Sequence, residues 1–332
     1  MSFRHITGHR PLLALLSRTS ARGALPPSLI FSGPPGVGKR LTAVALAQTL
    51  NCTNPVEWDG GVDACGACPS CRRIARDVHA DVLIVEPGES GSIKVDQVRD
   101  AIERAAYRPF EGRRRVVIID EADALMPEAQ NALLKTLEEP PPASVFVLVT
   151  SRPDVLLPTV RSRCQNLRFG ALGAAEVADA LICLHHMEAA DAHAAAAASD
   201  GSIGRALDEG TEDAVAARAS AARLLTLAAS SSDPRRRLDG AKAMSGAAPT
   251  RADLAVRLSA LSSLLRDLGV LLSRADDRRL ANADMKPQLQ SLLRWFDSAR
   301  ALRAFAAVDR ALAALERNAS PKIVADWVAL QI

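Results

Sequence analysis

The sequence predicts an α/β domain built on a parallel sheet, followed by an all-helical C-terminal half. Three observations predict it. Apolar runs of strand length alternate with helical patterns up to Phe169. A glycine-rich turn joins the first of these runs to a helix. Beyond Phe169 the strand patterns stop, and Ala/Leu/Arg-rich helical patterns run on to Ile332.

The elements follow in order. SLIFSG (Ser28 to Gly33) is a buried strand ending in glycine, and LTAVALAQTL (Leu41 to Leu50) is the helix after it. DVLIVEP, RRVVIIDEAD and SVFVLVTS supply three further strands. Between them VDQVRDAIERAA places Val95, Val98 and Ile102 on one helical face. In ALMPEAQNALLKTLEEPPP, Pro127 opens a helix and the proline triplet closes it. AAEVADALICLHH puts Val177, Leu181 and Leu184 on one stripe, with Cys183 expected in the helix core. The helical remainder has expected breaks near Gly210, at SSSDP and at SGAAPT. Wide apolar faces in LSALSSLLRDLGVLL and LRAFAAVDRALAALE predict a packed bundle there.

The totals narrow the function. At 332 residues the chain has room for two or three domains of roughly 150 residues. A net charge of +3 is too small to indicate nucleic-acid binding by itself, and 3% aromatic residues argue against a base-stacking surface. No apolar run approaches the roughly 18 residues of a membrane span, so no membrane partner is expected. PLLALL, after Arg10, is followed by SRTSARG and a strand pattern; it reads as an amphipathic helix, and the expected location is the cytoplasm.

Two patterns carry chemistry. In GPPGVGK, Gly33, Gly36 and Gly38 let the backbone N–H groups surround phosphates at a helix N-terminus, and Lys39 reaches the outer phosphates. The next residue should be Ser or Thr, whose hydroxyl holds Mg²⁺, and here it is Arg40, which has donors only. Thr42, two residues further along the helix, points elsewhere. Asp120 ends an apolar strand, where a carboxylate holds Mg²⁺ directly or through water, and Glu121 is placed to polarise a water. ATP with Mg²⁺ is therefore expected, if anywhere, at a degraded site with weak or absent hydrolysis. The second pattern is Cys52, Cys65, Cys68 and Cys71, spaced C-x12-C-x2-C-x2-C, which suits four thiolates around one structural Zn²⁺ with no open position. His79 is a further candidate, favoured as a loop residue before the strand DVLIVEP.

The pieces LPPSLIFSGPPGVGK, HADVLIVEP, VVIIDEADAL, NALLKTLEEPPP, LLPTVRSRCQNLRF, GSIGRAL and ALERNASPKIVADWVALQI, with the four-cysteine insertion, span the chain. Together they resemble the clamp-loader subunits of bacterial DNA polymerase III, a AAA+ family, and within it the delta-prime members more than the gamma/tau ones. The resemblance implies a P-loop, RecA-like AAA+ domain over residues 1–169 with its zinc module at 52–71, a helical lid over 170–210 and a helical collar over 211–332. It implies that Arg163 is an arginine finger acting in trans on a neighbour's ATP, a role worth about 10³–10⁵ in rate. It places Thr150, or the adjacent Ser151, at a position that reads the γ-phosphate, and Arg205 at the lid arginine. Implied partners are gamma/tau and delta subunits in a hetero-pentamer and, through the complex, the sliding clamp and primed DNA. The departure at Arg40 implies the catalytically silent stator of such a complex. An active gamma/tau-like ATPase and a zinc-organised nucleic-acid-binding module are the competing readings; intrinsic ATPase and salt-dependent DNA binding separate them.

Overall fold

The apolar runs become β1 (Ser28–Ser32), β4 (Val82–Val85), β5 (Arg115–Ile119), β6 (Ser144–Thr150) and β7 (Gln165–Arg168), with a short pair β2 (Val56–Trp58) and β3 (Gly61–Asp63) between β1 and β4. The computed structural model describes residues 2–88, 90–208, 211–230, 233–245, 250–276, 280–316 and 319–332. The five longer runs form one parallel sheet in the order β4-β5-β6-β1-β7. Both faces are covered, which is why the runs are continuously apolar rather than alternating. On one face Val116, Ile118, Val145 and Val147 meet Leu13 and Leu16 of α1 (Arg10–Ala21) and Leu46 of α2 (Lys39–Asn51). On the other, Val117, Ile119, Phe146 and Leu148 meet Val98 of α4 (Val95–Ala106) and Leu133 of α5 (Pro127–Glu138). Period-2 side-chain alternation thus sends neighbouring residues of β5 and β6 into different cores. Pro127 stands at the start of α5, and the helix is over before the proline triplet.

The chain divides into two units, Met1–Ala171 and Leu172–Ile332. In the second, α7 (Ala174–His185), α8 (Ala189–Ala198) and α9 (Ile203–Asp208) enclose Leu172, Val177, Leu181 and Ala195. A larger core joins α10 (Thr211–Ser230), α12 (Arg251–Leu272), α14 (Ser298–Glu316) and α15 (Pro321–Gln331) around Leu258, Leu261, Leu265, Val308 and Val328. No strand occurs in this unit among the described residues. The expected boundary at Gly210 lies outside the described residues, as do positions 231–232 of SSSDP and 246–249 of SGAAPT.

Two expectations need correction. Leu184 does not join the stripe of Val177 and Leu181: it is 55% exposed, and the small side chains of Ala178 and Ala180 complete the buried face instead. Cys183 lies on the same outward side and is exposed, not core. The cysteine-rich insertion carries a hairpin. β2 and β3 pair antiparallel about Asp59-Gly60, both with positive φ, as a two-residue hairpin turn requires. The Asp-Gly signal for this turn was present in WDGG.

Candidate functional site

The phosphate loop leaves the C-terminal end of β1, where the sheet order reverses between β6 and β7. The backbone requires glycine at its first position: Gly33 has φ 147, and a Cβ there would stand 2.2 Å from the carbonyl oxygen of Phe169. Gly36 (φ 70) and Gly38 (φ 95) turn the chain into α2. Lys39 is buried and donates to the carbonyls of Gly33 (2.7 Å) and Pro34 (2.5 Å). Burial lowers its pKa from the ordinary lysine value, against the opposing pull of Asp120 and Asp123. Loop and lysine fit a bound polyphosphate: the N–H groups and the ammonium are all donors at one helix start.

The metal position does not fit a divalent ion. Nη1 of Arg40 donates to Oδ2 of Asp120 at 3.0 Å and pairs with Oε1 of Glu86. Burial works against the Arg40 charge, but Asp120 and Glu86 outweigh it, and its pKa is raised. Thr42 is buried and its hydroxyl donates to the Gly38 carbonyl at 2.9 Å, so it offers no substitute ligand. Glu121 is exposed, in a left-handed backbone conformation (φ 48), and its N–H donates to Oδ1 of Asp120.

The same end of the sheet carries Thr150, which is buried and donates to Oδ1 of Asp123 at 3.0 Å; the neighbouring Ser151 contributes its backbone N–H to that oxygen at 3.4 Å. Arg152 pairs with the other oxygen of Asp123. Burial would raise the Asp123 pKa, but these donors reverse the direction and lower it. Glu86, Asp123 and Arg152 were not singled out from the sequence. A signal for Glu86 existed: it follows the run VLIV as Asp120 follows VVII, and Val85 pairs with Ile119, so both carboxylates emerge side by side.

Arg163 lies at the opposite end. It precedes β7, whose Gln165 is in register with Leu29 near the start of β1. Its guanidinium pairs with Glu138 at the end of α5 and donates to the Thr159 carbonyl at 2.8 Å. Arg205 belongs to the second unit, where its guanidinium pairs with Asp200 at 3.2 Å.

The four cysteine sulfurs converge: the ligand atoms of Cys52, Cys65, Cys68 and Cys71 all lie within 4.8 Å of one another. Successive backbone N–H groups point at the sulfurs, from Cys65 to Cys52 and from Cys68 to Cys65 (both 3.3 Å) and from Cys71 to Cys68 (3.4 Å). Such donors stabilise thiolates. Burial opposes ionisation of Cys68, but hydrogen bonds from Thr53 and Cys71 push its pKa down to about 5. Burial raises those of Cys52 and Cys71. Four thiols this close, with their backbone donors, suit a four-coordinate metal ion. His79 stays outside the cluster. It is buried in front of β4, with Nε2 3.0 Å from Ser70 Oγ and Nδ1 accepting the Asp81 N–H.

Taken in chain order, the five strands of the main sheet run 5-1-4-3-2 across it, with the phosphate loop after the first and a helical unit beyond; this is the AAA+ class of fold. The chain belongs to the family described as DNA polymerase III, delta subunit, whose sequence model matches residues 8–173, half of its length. It is 39% identical over 152 residues to the DNA polymerase III subunit delta' of Pseudomonas aeruginosa, covering 46% of this chain and 45% of that protein. It is 36% identical over 171 residues to DNA polymerase III subunit gamma/tau of Mycobacterium tuberculosis, 52% of this chain and 29% of that protein. Against DNA polymerase III subunit tau of Escherichia coli it is 35% identical over 178 residues, 53% and 26%. The chain thus spans less than half the length of these curated relatives. Family membership agrees with the resemblance carried by the motifs. No helix among the described residues is long and apolar enough to cross a membrane.

Proposed function

We infer that this chain is the non-hydrolysing, delta-prime-like member of a bacterial clamp loader. In this reading it assembles in the cytoplasm with gamma/tau and delta subunits in a hetero-pentamer that places the sliding clamp on primed DNA. Its contribution to turnover is Arg163, offered in trans to the nucleotide of a neighbouring subunit, while Arg40 keeps its own site silent. Residues 170–210 would act as a lid, with Arg205 as the lid arginine, and residues 211–332 as the collar that holds the subunits together.

One observation supports this reading above the others: Arg163 and the phosphate loop lie at opposite ends of the same sheet. β1 has five residues, so about 13 Å of strand separates its two ends. An arginine finger acts by placing fixed positive charge within hydrogen-bonding reach of the transferred phosphoryl group. Arg163 is too far from its own loop to do this, and so serves only a loop presented by another subunit. Its pairing with Glu138 is a resting contact on a half-exposed surface, weak enough to be exchanged for phosphate oxygens.

Cys52, Cys65, Cys68 and Cys71 would hold Zn²⁺. When bound, it cross-links the hairpin β2-β3 and α3 (Pro69–Ala75) to the end of α2, with no open position for catalysis.

The test is to reconstitute the loader with wild-type, Arg163→Ala or Arg163→Lys chain and to measure assembly and DNA-stimulated ATPase separately. Assembly should persist and turnover should fall in both variants, because a lysine lacks the planar fork that engages two phosphate oxygens. Full ATPase and clamp loading in both variants would sink the trans role. Robust ATPase by the isolated wild-type chain, abolished by Lys39→Ala, would favour the motor reading.

A further inference from the structure

The residue after the phosphate-loop lysine normally supplies a hydroxyl to a divalent cation. In this chain the guanidinium of Arg40 reaches from that position to the two carboxylates that flank it, Asp120 at 3.0 Å and Glu86. Both contacts use Nη1. The carboxylates come from the ends of neighbouring strands: Glu86 follows β4, Asp120 follows β5, and the Asp120 N–H donates to the Val85 carbonyl at 2.9 Å. The backbone therefore fixes their spacing independently of Arg40. One cation bridging two oxygens from adjacent strand ends repeats the charge arrangement of a metal site, with a guanidinium as the cation.

We propose that Arg40 is a tethered replacement for the divalent cation, with Asp120 and Glu86 as its ligands, and that this chain excludes the metal ion by occupying its place. The inference rests on the silent-site reading only in taking the loop to be a phosphate site. An incoming ion would have to break both ion pairs and then share the pocket with a displaced positive charge. Guanidinium has no lone pair to offer the ion in return and stays protonated at any working pH. The remainder of the site is intact: the three loop glycines, Lys39 and both carboxylates are in place. Exclusion of metal is thus assigned to one side chain, and Glu86 becomes a positioning residue for it.

The experiment reads Mn²⁺ directly. Full-length, zinc-loaded chain is titrated with Mn²⁺ in the presence of ADP, and the free ion is followed by electron paramagnetic resonance. Mn²⁺ prefers oxygen ligands, so the cysteine cluster does not compete. Wild type should lower the free Mn²⁺ signal no further than the same ADP without protein does, and Arg40→Lys should behave alike because it keeps the positive charge. Arg40→Thr should bind Mn²⁺ at least about tenfold more tightly than wild type, and adding Glu86→Gln should weaken that gain. Arg40→Ser is the second variant if the threonine variant does not fold. Stoichiometric Mn²⁺ binding by wild type, or folded Thr and Ser variants that gain none, would overturn the proposal. These outcomes are separate from turnover: a wild type that binds Mn²⁺ yet hydrolyses nothing removes this inference and leaves the silent-subunit reading standing.

Discussion

Asp81 shows how a single residue secures the site from a distance. Its carboxylate is fully buried and accepts the backbone N–H groups of Phe110, Glu111 and Gly112 at 2.7, 2.9 and 2.7 Å, and Nη2 of Arg115 at 2.9 Å. It closes the loop leading into β5, the strand that ends at Asp120. Burial alone would raise its pKa; the three N–H groups and Arg115 outweigh burial and hold it below the usual carboxylate range. A folded pKa below the unfolded value of about 3.9 means that its stabilisation is complete above that value and is lost as pH falls through the folded value. Asp81→Asn should cost about 3–5 kcal/mol at neutral pH, since it leaves the Arg115 charge buried without its partner. Urea unfolding at neutral pH and toward acid checks both parts: a lower midpoint, and a shallower acid decline in the variant. Equal stability at neutral pH would show that Arg115 is satisfied by the carbonyls of Arg104 and Arg108 alone.

At the scale of elements, the hairpin β2-β3 and α3 form a module tied at one place to α1 and at another to the N-terminal segment. Gly61 lies against α1 so closely that a Cβ would stand 2.5 Å from the Ser17 carbonyl carbon, and the Ser17 hydroxyl donates to the Trp58 carbonyl at 3.0 Å. At its other end, Asp63 is buried and accepts the N–H groups of Phe3 and Arg4 at 3.0 and 3.2 Å. The module is also held by Ile74 of α3, buried in the core beneath the sheet, by Gln48 Nε2 donating to the Cys71 carbonyl at 2.7 Å, and by the four-cysteine cluster, whose apolar surroundings are small. On the proposed zinc reading the metal adds to these contacts, and structural zinc in small domains is worth about 10–16 kcal/mol of apparent binding free energy. Cys68→Ser should reduce bound zinc from near equimolar to near zero and raise hydrogen exchange between Cys52 and Cys71, with β5 and β6 still protected. Zinc-free wild-type protein purified under reducing conditions would refute the metal assignment.

For the whole molecule, the two units have separate cores, those on the two faces of the sheet and those among the C-terminal helices. Cys52, Cys65, Cys68 and Cys71 all belong to the first unit. Calorimetry should therefore show more than one transition, as expected for independent cores. On the zinc reading, a chelator should lower the transition of the first unit by several degrees and leave the helical unit unmoved. A single transition that shifts as a whole would instead mean that the two units unfold together.

The phosphate loop, the strand ending at Asp120, the Pro127 helix start and the cysteine spacing were legible because each is local: a few consecutive residues carry the turn, cap or period that defines it. The missing hydroxyl at Arg40 was equally plain. Its ion pairs were not, since Glu86 and Asp120 are 34 positions apart and meet only because β4 and β5 are neighbours in register. The hairpin was overlooked although its Asp-Gly turn was visible, because three-residue strands carry too few positions for a period. Leu184 and Cys183 are a different case: their exposure depends on which face of α7 is covered by its neighbours. By itself the sequence determined the fold class, the residue types of the site and the loss of a metal ligand, all properties of short segments. Only the tertiary structure decided what stands in the ligand's place and which end of the sheet carries Arg163, because strand order and register are set by packing between segments distant in the chain.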